Sequence, residues 1–323
     1  MIVVTGGAGF IGSAIVWRLN TLGNDNVVIV DELGTDEKWK NLVGLKYYDF
    51  VNKYDFLEML KSVPDFDIKA IIHMGANSST TEKDADFLMR NNYEYTKKLA
   101  EYSAKNHIRF IYASSAATYG DGSQGFDDKA NGGRRLFPLN MYGYSKHLFD
   151  IWAAKKGLLD QIVGLKYFNV YGPNEYHKGD MRSVVHKAYE QIKTTGKVKL
   201  FKSHDPNYKD GEQMRDFIFV KDAVDMTLFF LENQEASGIF NIGSGKARTW
   251  NDLVSAIFEA MNIPVNIEYI DMPAHLTAKY QYFTEATLNK IKKAGYTKPV
   301  LSLEGGVTDY VKNYLLKEKH LGT

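Results

Sequence analysis

No cysteine occurs among the 323 residues, which excludes disulfide cross-links and thiolate catalysis. Neither sign of charge is in excess. The 40 Lys and Arg face 39 Asp and Glu, a formal net charge of +1, so no broad basic or acidic field marks the chain for nucleic acid. No apolar run approaches the roughly 18–20 residues of a membrane span, and no internal repeat or low-complexity segment breaks the sequence. Met1 leads directly into an apolar run, so no signal peptide is expected and a reducing cytoplasm is the compartment that fits. The Lys-bearing stretch after Tyr314 reads as a solvated terminus. What is present is 44% hydrophobic residues, enough to bury a large core in one or two domains.

Short apolar runs at 2–4, 27–30, 70–72, 110–112 and 162–165 read as buried parallel strands, separated by amphipathic stretches at 11–22, 87–105 and 142–155. That alternation predicts an α/β fold, a Rossmann-type doubly wound parallel sheet over residues 1–168, with later segments at about 215–245 returning to it. Residues 169–323 are less regular. They read as a smaller mixed α/β C-terminal domain with helices at 183–194, 221–233 and 251–261, supplying the substrate pocket.

The first strand runs straight into Thr5-Gly6-Gly7-Ala8-Gly9-Phe10-Ile11-Gly12. Gly6 allows a tight turn, Gly9 lets the backbone approach a pyrophosphate, and Gly12 lets the following helix pack on the sheet, with phosphates meeting the helix N-terminus. A glycine fingerprint alone also describes a plain strand-to-helix turn. Asp31 narrows the choice: it ends the second predicted strand, where a carboxylate accepts hydrogen bonds from an adenosine ribose, which favours NAD. Lys38 and Lys53 either offer charge to a 2′-phosphate or are exposed lysines.

Tyr-x-x-x-Lys puts both side chains on one helix face, where an ammonium lowers a phenol from its usual pKa of about 10 towards neutrality. Three such pairs occur, Tyr93/Lys97, Tyr142/Lys146 and Tyr189/Lys193, so spacing alone does not choose. Context selects Tyr142, because Ser114 and Ser115 leave the C-terminal end of the strand at 110–112, the side on which α/β sheets bind ligands. Ser115 then shares a substrate oxygen with Tyr142, and the Tyr142 phenolate removes an alcohol proton while Lys146 holds a nicotinamide ribose. Asn91 either braces this region through its amide or is an exposed or capping Asn. No metal site is expected.

The glycine motif, Ser115, Tyr142-x-x-x-Lys146 and Tyr167-Phe168-Asn169-Val170-Tyr171-Gly172-Pro173 together resemble the extended short-chain dehydrogenase/reductase superfamily of nucleotide-sugar epimerases and dehydratases, over essentially the whole chain. Within it, Ser78-Ser79-Thr80-Thr81-Glu82, Ala113-Ser114-Ser115-Ala116-Ala117-Thr118-Tyr119-Gly120 and His177-Lys178-Gly179 resemble the ADP-glycero-manno-heptose 6-epimerase family. That resemblance implies bound NADP, with NAD possible, and inversion at C6 of ADP-D-glycero-D-manno-heptose for lipopolysaccharide inner core. It also implies a homo-oligomer, a pentamer, with no nucleic-acid or membrane partner. It makes Lys178 a second base, since two opposite alcohol configurations must be served; otherwise Lys178 is a loop lysine meeting phosphate or solvent. It places Phe10, Ile11, Asp31, Glu32, Lys38, Lys53, Met74, Gly75, Ala76, Asn77, Ser78, Asn91, Lys146, Val170 and Lys178 around the cofactor. Asn169, Asp180, Lys187, Phe201, Lys202, Ser203, His204, Arg215 and Tyr280 fall where the family contacts the nucleotide sugar.

Departures from the family pattern are Glu32, Met74, Asp180, Lys187 and a longer loop at 204–215, whose Lys209-Asp210-Gly211 reads as a flexible turn. Arg215 is the natural diphosphate partner, or else half of a surface Arg-Asp ion pair. Rivals are a UDP-hexose 4-epimerase, a nucleotide-sugar 4,6-dehydratase and a non-catalytic dinucleotide-binding regulator. The dehydratases carry an Asp-Glu pair where this chain has Ala116 and Ala117, which do no acid-base work.

Overall fold

A computed structural model describes residues 1–62, 67–129, 136–273 and 280–323. Among these, twelve strands form three sheets: β1 (Ile2–Thr5), β2 (Val27–Asp31), β3 (Asp49–Asn52), β4 (Ala70–His73), β5 (Arg109–Ser115), β6 (Val163–Tyr167), β7 (Asn169–Tyr171), β8 (Val198–Phe201), β9 (Met214–Phe219), β10 (Gly238–Ile242), β11 (Ala247–Thr249) and β12 (Ile267–Ile270). The main sheet is parallel and ordered β10-β6-β5-β4-β1-β2-β3. From β1 the chain winds outward to β3, then returns to the other side of β1 as β4. The order therefore reverses beside β1, and ligands of such sheets bind at that crevice.

Both faces of this sheet are covered around β1, β2 and β4, so these strands read as short apolar runs instead of alternating, while the edge strand β3 buries only Val51. Ile2, Val4, Ile29 and Ile72 point into one core, and Val3, Val28, Ile71 and Phe110 into the other. On the first face the helix Phe10–Thr21 packs against Val220–Glu232, and Arg18 pairs with Asp225 at 2.8 Å. The smaller sheets are β11-β9-β7, which is mixed, and the parallel pair β12-β8. β7 follows β6 directly, and with Phe217 of β9 it lines the cleft at the C-terminal end of the main sheet.

One expectation is refined and two need correcting. The amphipathic stretch at 87–105 is helical but not α-helical throughout: Ala85–Leu88 and Tyr95–Lys105 are joined by a π-helical stretch, Met89–Glu94. The stretch after Tyr314 is not a solvated terminus, because Leu315 and Leu321 are buried and the Leu321 N–H donates to Asn174 Oδ1 at 2.9 Å. The Lys209-Asp210-Gly211 turn is tied down: Ser203 N–H donates to Asp210 Oδ1 (2.8 Å), and Asn251 donates from its backbone to Gly211 O and from its side chain to Asp210 O, both at 3.0 Å.

Candidate active site

At the end of β1, Gly6 has φ +65°, and a Cβ there would meet Gly75 N at 2.6 Å. A Cβ on Gly12 would lie 2.0 Å from Gly6 O. Both positions are glycine because backbone crosses backbone there. Gly9 differs: its Cβ would meet only Gly6 O, at 3.1 Å, so the side open to the cleft is where its missing side chain matters. The helix that begins after Gly9 has no side-chain cap, leaving its first N–H groups for an anion. Asp31 stands beside them, accepting from Ala8 N (2.9 Å) and Glu32 N (2.7 Å) and pairing with Lys38 at 3.0 Å. A dinucleotide fits this set of donors and this acid. Gly12→Ala, which forces backbone on backbone, is expected to destabilise the fold by about 1–3 kcal/mol or more and to yield protein without cofactor, measured by denaturing release.

Ser115 closes β5, and its Oγ accepts from Ala117 N at 3.1 Å, starting the turn Ala116–Tyr119. Across from it the helix Met141–Lys155 begins at Asn140, whose side chain accepts from Gly143 N at 2.8 Å. That cap sets Tyr142 in the first helical turn, with Lys146 one turn on and only 4% exposed. Burial pulls the Lys146 ammonium down to about 8 against the charge of Asp150. Burial also raises the Tyr142 phenol above its ordinary value, opposed by Ser115. Within the protein alone, burial outweighs the groups that would favour the phenolate.

Beneath this pair lies a charged cluster that the sequence reading missed. Asp150 accepts from Tyr112 (2.9 Å) and Ser114 (2.8 Å) and pairs with Lys166 at 3.0 Å, and Lys166 also donates to Thr118. Every member is buried, so strand β5, its following turn and the Lys146 helix are locked together by satisfied polar groups. The other two Tyr/Lys pairs lie elsewhere. Lys97 stacks on Tyr93 and Trp152, while Tyr189 donates to Leu315 O and Lys193 pairs with Glu318.

Asn91 is not the direct brace. Its neighbour Asn92 is: fully buried, it accepts from Asn77 N and donates to Asn77 O, both at 2.9 Å, and donates to Ser145 Oγ at 3.1 Å. Asn91 instead holds Lys53 at 3.2 Å and donates to Asn92. The π-helical stretch shifts the inward face by one residue, which a count of 3.6 per turn misses.

These pieces face one cleft of about 680 Å³, lined by Gly6, Gly9, Phe10, Ile11, Gly12, Asp31, Lys38, Met74–Ser78, Ser115, Tyr142, Lys146, Asn169, Val170 and Lys178. Lys178 is half-buried, its Nζ 5.3 Å from the centre of the Phe10 ring. Burial lowers its pKa, opposed by Glu175 and reinforced by Lys187. Met181, Arg182, Trp250 and Leu253 also line the cleft without a signal in the sequence. Glu32, Lys53 and Asn91 lie outside the lining, and Glu32 and Lys53 form an ion pair. Neither Lys38 nor Lys53 is simply an exposed lysine, since each is held by an acid.

Of the expected nucleotide-sugar contacts, Asn169 lines the cleft and the others stand farther out. Asp180 and His204 are exposed, Lys187 and Phe201–Ser203 are half-buried, and Lys202 pairs with Asp271 at 3.0 Å. None of these others lines the cleft. Arg215 is buried, its guanidinium 5.7 Å from the Trp250 ring and 5.4 Å from the Tyr280 ring. Arg215 and Asp216 point to opposite faces of β9, which removes the surface ion-pair reading. Asp216 is fully engaged instead, by Ser244 N and Oγ, Gly245 N and Ala286 N at 2.6–2.9 Å. Trp250 donates to the Tyr280 hydroxyl at 3.0 Å, so the two rings beside the Arg215 guanidinium are tied to each other. Among the described residues no helix is long and apolar enough to cross a membrane, and no acidic or His cluster could hold a metal.

A sequence model of the NAD dependent epimerase/dehydratase family matches residues 2–243. An ADP-L-glycero-D-manno-heptose-6-epimerase of Nitratidesulfovibrio vulgaris is 58% identical over 316 residues, 98% of either chain. The enzyme of that name from Fusobacterium nucleatum is 53% identical over 98% of this chain and 99% of its own. The crystal structure of Helicobacter pylori ADP-L-glycero-D-manno-heptose-6-epimerase superposes with a TM-score of 0.80 at 29% identity, covering 97% of this chain and 95% of that one. Thermus thermophilus UDP-glucose 4-epimerase in complex with NAD, at 24% identity and TM-score 0.75 over 96% and 97% of the two chains, shares the fold.

Proposed function

Since the chain belongs to the NAD dependent epimerase/dehydratase family, we propose that it inverts C6 of ADP-D-glycero-D-manno-heptose to give the L-glycero epimer. The full-length relatives support that substrate, and one observation carries the chemistry: Ser115, Tyr142, Lys146 and Lys178 converge on the cleft that holds the glycine turn.

A nicotinamide dinucleotide bound in this cleft would supply hydride acceptor and donor in turn, and the positive ring of its oxidised form would favour the Tyr142 phenolate. Tyr142 handles the proton of the C6 hydroxyl in one epimer, and Ser115 hydrogen-bonds the same oxygen. Lys146 holds the nicotinamide ribose and stabilises the phenolate. The resulting C6 carbonyl is planar and lies outside the sugar ring, so rotation about C5–C6 exposes its opposite face and no net redox change is needed. Lys178 handles the hydroxyl proton of the other epimer. Arg215 grips the diphosphate, with Trp250 and Tyr280 holding its plane.

The cofactor is NADP in this reading, Lys38 and Lys53 providing positive charge for a 2′-phosphate. Both lysines are already paired, with Asp31 and Glu32, so the phosphate competes with carboxylates. That pairing favours NAD as the second reading, with Asp31 accepting from ribose hydroxyls. Incubation with ADP-D-glycero-D-manno-heptose, followed through the C6 proton by NMR, tests the substrate. Denaturing release from the same sample identifies the nucleotide. A pentameric assembly belongs to the same reading by resemblance, and light scattering measures it.

Lys146 acts as an ammonium, so the rate should fall as the pH rises through about 8, where burial places its proton loss. Asp150→Asn removes a charge that keeps this proton on, and should move the alkaline arm of kcat/KM to lower pH. An arm that stays in place excludes Lys146 as its source.

A further inference from the structure

Three segments far apart in the chain meet on the buried amide of Asn41, which is 1% exposed. Its Nδ2 donates to Ala8 O of the glycine turn and to Asn174 O, each at 3.0 Å. Two carbonyls only accept, so this end of the amide must be the nitrogen. Its Oδ1 faces His320 Nδ1 at 2.8 Å. Asn174 completes the junction: fully buried at φ +78°, it donates to Ser13 Oγ at 2.9 Å and accepts from Leu321 N at 2.9 Å. Tyr176 adds a bond from its hydroxyl to Lys319 O at 3.0 Å, with its ring 4.8 Å from that of His320. The loop these bonds fasten to the glycine turn is the one that carries Lys178.

We propose that Asn41, backed by Asn174 and residues 319–321, is a positioning residue that fixes the Lys178 loop against the glycine turn. The inference rests on the proposed role of Lys178. Phe10, over which the Lys178 ammonium stands, opens the helix that follows the glycine turn. A brace between turn and loop thus sets the distance between the cofactor's seat and the second base. Misplacement of a reacting group by about 1 Å costs on the order of 100-fold in rate.

The test uses the purified holoenzyme and ADP-D-glycero-D-manno-heptose. Asn41→Ala should lower kcat about 10- to 100-fold and also lower the melting temperature, since Ala8 O and Asn174 O lose this donor, while KM and bound cofactor stay near those of the parent. His320→Ala, which removes a single bond on a half-buried ring, should lower kcat less and in the same direction. This milder variant keeps the test valid if Asn41→Ala folds poorly. Asn41→Ala added to Lys178→Met should cause no further loss, because the two act through one group. A further loss of the same factor, or unchanged kcat in both single variants, overturns the proposal. If Lys178→Met alone turns over like the parent, the reading of Lys178 itself fails, and that result is visible without any Asn41 variant.

Discussion

Tyr142→Phe is expected to lower epimerisation by about 10²–10⁴-fold, the usual contribution of a positioned acid-base group, while the protein keeps its fold and its cofactor. The substitution removes one oxygen and leaves the ring. The helix start is set by the Asn140 cap and the helix interior by Asn92, Asp150 and Lys166, none of which needs the phenol. Melting temperature and bound nucleotide therefore report whether anything but the proton was lost. Burial in the protein alone raises the phenol's pKa, so the phenolate depends on positive charge brought beside it. This makes Tyr142 sensitive to Lys146 and to a bound oxidised nicotinamide together, a stronger demand than a lysine one turn away meets by itself. Turnover within a few-fold of the parent would remove Tyr142 from the mechanism.

The features that were readable in the sequence are those set by local rules. The glycine turn is a sequence property because Gly6 and Gly12 face backbone at 2.6 and 2.0 Å. The inner strands β1, β2 and β4 of the main sheet are mostly apolar because both faces are covered, whereas the edge strand β3, Asp49-Phe50-Val51-Asn52, buries only Val51. Ser115 at a strand end and Tyr142 and Lys146 one helical turn apart follow from the same short-range geometry, and the cleft holds all three.

What escaped depends on pairings across long stretches of chain. Glu32 and Lys53 neutralise one another, and Asp150 and Lys166 do so in the interior; a sequence shows the charges but not the distances. Asn92 takes the place expected of Asn91 because a π-helical stretch breaks the helical count. Leu321 is a single apolar residue among polar ones, with no periodicity to mark it, yet it is buried and its N–H is bound 147 residues away. Trp250 and Leu253 enter the cleft from the first turn of a helix whose remaining apolar residues face the core, so they read as ordinary packing.

Lys178→Met should stop epimerisation while sparing one half of it. An inversion needs a proton handled at oxygen in two opposite configurations, and one rigid phenol on a capped helix serves only one of them. The second must come from another direction, and Lys178 lines the same cleft from a separate loop, held over Phe10. Burial and Lys187 lower its pKa, which favours the neutral amine that a base requires. Methionine has comparable length and stays against the Phe10 ring, so the variant isolates the amine. The expected loss in overall epimerisation is about 10²-fold or more, with cofactor retained. In single turnover, one epimer should still reduce the bound cofactor at close to the parent rate and the other should not. Tyr142→Phe should show the reverse preference between the same two substrates. Equal rates towards both epimers in Lys178→Met would exclude a two-base scheme and leave Lys178 as a residue that only contacts the ligand.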